Sequence, residues 1–214
     1  MITVKINGEE RQYPQGATYE DVANDYQKEY DNLIALAARD GKIRELFKKL
    51  TRDCEITFFT LKDDVGNKTY VRSATMLFLK AVFDVFGRET VQNCRVEFAI
   101  GNGSYISPKG KINATEENAA KIRNRMRELV EAKTPFLKKS YSLDNAMELF
   151  RREGMKDKEK LFRYRRGSFV NIYEMDGYYD YYYGYMLPNA GYVKWFDVIA
   201  YEDGFCSLIH ISEP

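Results

Sequence analysis

An α+β protein in two parts is what this sequence predicts, on three observations. Ile2, Val4 and Ile6 alternate with polar residues and run into Asn7-Gly8, the pattern of a half-buried hairpin. Residues 71–86 carry apolar side chains on every side, which marks a buried helix, not a surface one. A tyrosine-rich stretch interrupted by Asp176-Gly177 reads as a second hairpin late in the chain. The 214 residues accommodate one domain or two compact ones, and either can bury a core.

The first hairpin takes its second strand from Arg11 to Tyr13 and is closed by Pro14 and Gly16. Thr18 with Asp21 three residues on is a capping-box-like helix start, and Val22, Ala23 and Tyr26 give that helix one apolar face. Leu33 to Ala38 and Cys54 to Phe59 supply two more strands, separated by a turn at Asp40-Gly41 and a short connector packed by Leu46 and Leu50. Strand, strand, helix, strand, strand within about sixty residues is the β-grasp order. The polar stretch Lys62 to Lys68, with Asp63-Asp64 and Gly66-Asn67, reads as a boundary between a domain of residues 1–62 and one of residues 63–214.

Beyond that boundary the helix of residues 71–86 stops at Gly87, and Arg95 to Ile100 alternates as a strand. A turn at Gly101-Asn102-Gly103 leads to a short strand at Tyr105-Ile106. An amphipathic helix follows from Glu116 to Lys133, capped by Asn113 or Thr115, and Ser142 caps a third helix that ends at Gly154. The late hairpin pairs Phe169 to Met175 with Tyr178 to Tyr185, and two last strands lie near Val193 to Ala200 and Phe205 to Ile211.

Up to this point the residues also resemble a known family. The line Ile2-Thr-Val, Asn7-Gly8, Tyr13-Pro14-x-Gly16-x-Thr18, Asp21-Val-Ala23, Ala35 to Gly41 and Asp53-Cys-Glu-Ile resembles a TGS domain, the β-grasp module at the front of threonyl-tRNA synthetases and several GTPases. The order of elements over residues 63–212 resembles the second domain of the synthetase amino-terminal region, which in that family is an editing hydrolase. The fold class implied is α+β, a TGS-like β-grasp domain followed by an α+β editing-like domain. In that family the pocket is marked by a His-x-x-x-His on the buried helix and a Cys-x-x-x-His on the hairpin. Here Arg72 and Met76 stand at the first pair and Tyr182 and Met186 at the second, with Asp180 and Gly184 kept. A guanidinium that stays protonated and a thioether cannot accept the proton of an attacking water, and the quartet offers no ordinary zinc ligands. The resemblance therefore implies a degenerate pocket of Arg72, Met76, Asp180, Tyr182 and Met186, with no catalytic residue, no metal and no cofactor.

Two such modules ahead of a P-loop kinase also resemble the front of a bacterial uridine (nucleoside) kinase fusion. On that resemblance the chain is expected to be a non-catalytic, ligand- or RNA-binding amino-terminal region with a kinase domain as its carboxy-terminal partner. The alternatives are the front of a threonyl-tRNA synthetase or a related aminoacyl-tRNA deacylase. The expected partners are tRNA or another RNA, or a small nucleotide-like ligand.

Composition narrows the chemistry. Lys+Arg 33 against Asp+Glu 32 leaves +1, which excludes a protein that holds nucleic acid by bulk charge. Charge is uneven, however: residues 121–139 and 151–166 are basic, and Lys121, Arg125, Lys138, Lys139, Arg163, Arg165 and Arg166 either follow a phosphate backbone or form solvated faces laced with ion pairs. The tyrosines between Tyr173 and Tyr185 either stack nucleobases or supply strand propensity and buried area. No phosphate-loop motif occurs. The one histidine, His210, sits in an apolar alternation and reads as structural. Cys54, Cys94 and Cys206, odd in number and irregularly spaced, read as reduced thiols. With no long apolar run and no signal-like start, a cytoplasmic protein without membrane contact is expected.

Overall fold

The computed structural model describes residues 1–100, 103–163 and 167–208. The fold is α+β, and its contacts gather into two units, residues 1–73 with 184–188, and residues 74–183 with the chain from 189 onward.

In the first unit β1 (Ile2–Ile6) and β2 (Glu9–Tyr13) pair antiparallel, Ile2 opposite Tyr13. The turn between them has φ 50° at Asn7 and 88° at Gly8, two successive left-handed residues as a tight type I′ hairpin needs. Helix α1 (Tyr19–Tyr26) opens with a complete capping box: the Thr18 hydroxyl accepts the Asp21 N–H at 3.2 Å and the Asp21 carboxylate accepts the Thr18 N–H at 2.7 Å. β3 (Ile34–Arg39) turns at Asp40-Gly41 into β4 (Lys42–Glu45), and β5 (Cys54–Thr60) completes a sheet of order β2-β1-β5-β3-β4 with β1 and β5 parallel. This is the β-grasp arrangement. The connector expected after Asp40-Gly41 contains a strand: the turn folds Lys42–Glu45 back along β3, where its charged residues suit a sheet edge.

Helix α2 (Asp64–Phe86) begins at Asp64, earlier than the Val71 expected. The polar stretch read as a boundary is therefore partly helical. Its Gly66 answers to packing and not to linker flexibility, because a Cβ there would stand 2.0 Å from the Thr60 carbonyl oxygen.

The second unit holds the rest of α2, α3 (Arg88–Asn93), β6 (Arg95–Ile100) and β7 (Gly103–Ser107), then α4 (Glu116–Glu131), capped by Thr115. β8 (Leu137–Ser142) leads through the Ser142 cap into α5 (Leu143–Arg152), and α6 (Lys156–Arg163) follows. β9 (Phe169–Met175) and β10 (Tyr178–Asp180) form the late hairpin, and β11 (Asp197–Tyr201) and β12 (Gly204–Leu208) close the chain. Two antiparallel sheets result, β10-β9-β8 and β11-β12-β7-β6.

Met76, Leu77, Phe78, Ala81 and Val82 of α2 are fully buried, as expected of an all-round apolar helix. Lys80 is buried with them at 2% exposure: its ammonium lies 2.8 Å from Asp84, donates to the Asp176 carbonyl at 2.7 Å and so ties α2 to the hairpin turn. β10 stops at Asp180, five residues short of the expected Tyr185, because the Asp180 carboxylate turns onto the Tyr181 N–H at 2.6 Å and Gly184 takes φ 135°. The strand expected from Val193 begins only at Asp197. Gly101, Asn102 and His210 lie outside the described residues. Among the described residues no helix is long and apolar enough to cross a membrane.

Candidate functional site

The late hairpin turns on Asp176-Gly177, φ 44° and 79°, and pairs Asp180 with Tyr173 and Tyr178 with Met175. Strand alternation then sends Tyr178 and Asp180 inward, at 4% and 3% exposure, and Tyr179 outward. Asp180 is held by three donors: the Tyr178 hydroxyl at 3.1 Å, the Tyr181 N–H at 2.6 Å, and the ammonium of Lys158 on α6. Burial pushes the Lys158 ammonium down to about 8, with Arg95 acting the same way, whereas the neighbouring Asp157 carboxylate favours its charged form.

These groups line a cavity of about 230 Å³ within the second unit, together with Thr75 and Leu79 of α2, Val91, Cys94, Arg95 and Met155. At its rim Arg95 donates to the Gln92 and Cys94 carbonyls at 2.9 and 3.0 Å and lies 4.0 Å from the Asp157 carboxylate. Burial pushes the Cys94 thiol up to about 12, so it stays protonated at neutral pH. Tyr182 also lines the cavity, its hydroxyl buried and without a partner among the described residues, and burial keeps that hydroxyl neutral far beyond its ordinary range.

Of the five pocket residues expected, Asp180 and Tyr182 thus meet in this cavity, while Met76 is fully buried in α2 and is not among its lining residues. Arg72 and Met186 belong to the first unit. There the Arg72 guanidinium lies against Gly184, whose added Cβ would stand 2.6 Å from Cζ, and donates to the Tyr185 carbonyl at 3.5 Å. The Met186 N–H donates to the buried Glu45 carboxylate at 3.2 Å, and the Leu187 N–H to the Ser73 hydroxyl at 3.0 Å. Residues 184–188 are therefore strapped to the first unit by their backbone.

The basic residues are largely matched by carboxylates. Lys121 pairs with Glu117 at 2.7 Å, Arg125 with Asp84 at 2.8 Å, Lys139 with Glu174 at 2.7 Å and Arg163 with Glu159 at 3.5 Å. Lys138 sits over the Tyr173 ring at 5.3 Å. Arg165 and Arg166 lie outside the described residues. The tyrosines divide as well: Tyr173 and Tyr178 are core, Tyr181 packs edge-on to Phe162, and of the seven only Tyr183 is exposed, at 85%.

Lys158 is the site residue that sequence reasoning missed. Met155, Lys158 and Phe162 fall at i, i+3 and i+7, so a lysine occupies an apolar face, and this was the available signal. Among the described residues no three histidine, cysteine or acidic side chains converge as a metal site.

No protein-family model matches the chain. It is similar to the threonine–tRNA ligase of Thermotoga maritima, 29% identical over 209 residues, which is 95% of this chain and 31% of the relative. The corresponding ligase of Maricaulis maris is 28% identical over 193 residues, 89% of this chain and 30% of the relative, and that of Porphyromonas gingivalis 23% over 201 residues, 91% and 30%. The chain thus spans about a third of the length of these curated relatives. The similarity runs through both units and accords with a likeness to the synthetase amino-terminal region. It favours the synthetase alternative over the kinase fusion, for which it offers no support.

Proposed function

We propose that this chain is a binding module of the threonyl-tRNA synthetase amino-terminal type, whose editing-like cavity binds a ligand without hydrolysing it. One observation carries the reading. Tyr182, which stands where the resembled site has its cysteine, lines the cavity, and its hydroxyl is buried and kept neutral, so it supplies neither a ready nucleophile nor a proton acceptor. Of the two carboxylates that line the cavity, Asp180 is occupied by its three donors and Asp157 stands beside Arg95, while Lys158, pushed down to about 8, is still mostly protonated at neutral pH. RNA contact is proposed as weak and strongly salt-dependent, because a phosphate must displace a carboxylate from most of the basic side chains.

The test is deacylation of seryl-tRNA by purified chain at pH 7 and pH 9, beside zinc analysis of the same preparation. No rate above a heat-killed control and less than stoichiometric zinc are expected. Hydrolysis that Lys158→Met abolishes overturns the reading and makes Lys158 a catalytic base. Retention on tRNA at low salt, lost on charge reversal at Lys138 and Lys139, tests the RNA part. The reading frame beyond Pro214 separates a synthetase-like parent from a kinase fusion.

A further inference from the structure

The basic side chains of the second unit are largely matched by carboxylates, but those gathered at one edge of the first unit are not. β3 and β4 meet across the Asp40-Gly41 turn with Arg39 directly opposite Lys42 and Ala37 opposite Arg44. Strand alternation puts Arg39, Lys42 and Arg44 on one face, that of Phe58, which pairs with Ala37 from β5 and packs against Tyr26 of α1. The connector after β4 comes to the same end: the Lys48 carbonyl accepts the Tyr19 N–H at 3.0 Å, and Lys49 bridges to Thr18, just ahead of α1. Burial pushes the Tyr19 phenol up, while Arg39 and Arg44 both lie close enough to oppose that shift. Arg39, Lys42, Arg44, Lys48 and Lys49 therefore surround the start of α1.

None of these five cations forms an ion pair among the described residues. Arg39 donates to the Thr51 hydroxyl at 2.8 Å, and Arg44 reaches the carbonyl of its neighbour Ile43 at 3.4 Å. The carboxylates nearby in the chain are committed elsewhere: Asp40 to Arg52 at 3.0 Å and to the Glu55 N–H at 3.2 Å, Asp53 to the Thr3 N–H at 2.8 Å, and buried Glu45 to the Met186 N–H. Glu20, in the first turn of α1, brings one carboxylate to this end and leaves a clear positive excess. Like charges directly across a strand pair destabilise it, so placing Arg39 opposite Lys42 is a cost that folding alone does not explain. A bound polyanion removes that cost.

Spacing and surroundings select the polyanion. Lys42 and Arg44 stand two residues apart on an extended strand, about 7 Å, comparable to the step between successive phosphates of an extended nucleic-acid strand. Phe47 is half-buried among the cations, with the Lys48 ammonium 5.2 Å from its ring, and rings set beside cations are what single strands use for stacking and charge together. Among the described residues no exposed large apolar side chain falls between 39 and 52, so this face has nothing to insert into a bilayer.

We propose that this face of the first unit is a docking surface for the phosphate backbone of single-stranded nucleic acid, held by Arg39, Lys42, Arg44, Lys48 and Lys49. It is separate from the weak contact proposed for the second unit, whose basic residues it does not use, and a folded tRNA offers it little extended single strand.

Fluorescein-labelled octauridylate, titrated against the full chain by anisotropy, is the probe. Saturable binding is expected at about 50 mM salt, weakening roughly 20- to 130-fold by about 200 mM, as neutralising about three to five phosphates requires. Lys42, Lys48 and Lys49 are exposed, so their replacement leaves the core intact. Lys48→Glu with Lys49→Glu is expected to weaken binding at least about tenfold, and Lys138→Glu with Lys139→Glu to change it less than about twofold; the reverse pattern overturns the location. Lys42→Glu is expected to weaken binding and yet raise the urea midpoint, because it turns a repulsive cross-strand pair into an attractive one. A lowered midpoint overturns the argument from unmatched charge. Octaglutamate that competes as well as unlabelled octauridylate overturns the nucleic-acid assignment, and no saturable binding at about 50 mM salt overturns the site itself. Failure of tRNA retention would overturn only the second-unit contact.

Discussion

Removing the Ser73 hydroxyl should loosen the strap that carries residues 184–188. Ser73 and Leu187 are both fully buried, and the hydroxyl oxygen accepts the Leu187 N–H at 3.0 Å while its proton goes to the Thr69 carbonyl at 2.8 Å. In Ser73→Ala the Thr69 carbonyl keeps its place in the helical ladder, so little is lost on that side. The Leu187 N–H loses its acceptor in a site that water does not reach, which costs about 1–3 kcal/mol. Alanine returns a few tenths of a kcal/mol through its better helix propensity, leaving about 1–2 kcal/mol net. Hydrogen exchange reads the effect where it arises: the Leu187 amide should exchange roughly 5- to 30-fold faster, the factor that about 1–2 kcal/mol represents. Amides of β1 should change less, since their pairing with β2 does not involve Ser73. A Leu187 exchange rate within about twofold of the parent would refute the assignment of Ser73 as the anchor.

Gly66→Ala should destabilise the first unit by about 1–3 kcal/mol despite alanine's better helix propensity, because its Cβ meets backbone at Thr60 that has no room to yield; a raised urea midpoint would contradict this. Stability should fall as pH climbs above about 10. Unfolded phenols ionise near that value, while burial and the Asp25 carboxylate hold Tyr13 neutral to about 12, so its contribution is complete below pH 10 and drains from there to about 12. Tyr13→Phe should flatten that slope in urea midpoints measured at pH 9, 10 and 11, and an unchanged slope would remove Tyr13 as its source. Native alkylation at pH 8, followed by peptide mass analysis, should modify the half-buried Cys54 first and Cys94 last, since burial pushes the Cys94 thiol to about 12.

Elements with a local signal were legible in the sequence. Asn-Gly and Asp-Gly turns, the Thr18, Thr115 and Ser142 caps and the apolar run of α2 each act within a few residues, and each stands where the pattern puts it. What escaped depends on partners distant in sequence. β8 reads as Leu-Lys-Lys-Ser-Tyr-Ser, and its strand identity comes from six pairings with β9 more than 25 residues away. Gly66 looks like a linker glycine until the Thr60 carbonyl is beside it. The end of β10 was overread because tyrosine carries high strand propensity, while Asp180 and Gly184 turn the chain away.

The candidate site divides along the same line. Position-by-position comparison along a motif identifies Tyr182 and Asp180 because both lie on one short stretch, but Lys158 comes from a different helix and belongs to no motif. Its contact with Asp180 also shows how a buried carboxylate is satisfied in this pocket: the ammonium, the Tyr178 hydroxyl and the Tyr181 N–H supply what a solvent shell would have supplied. The three donors on Asp180 occupy the oxygens a general base would use, and the proposed non-hydrolytic binding leans on that occupancy.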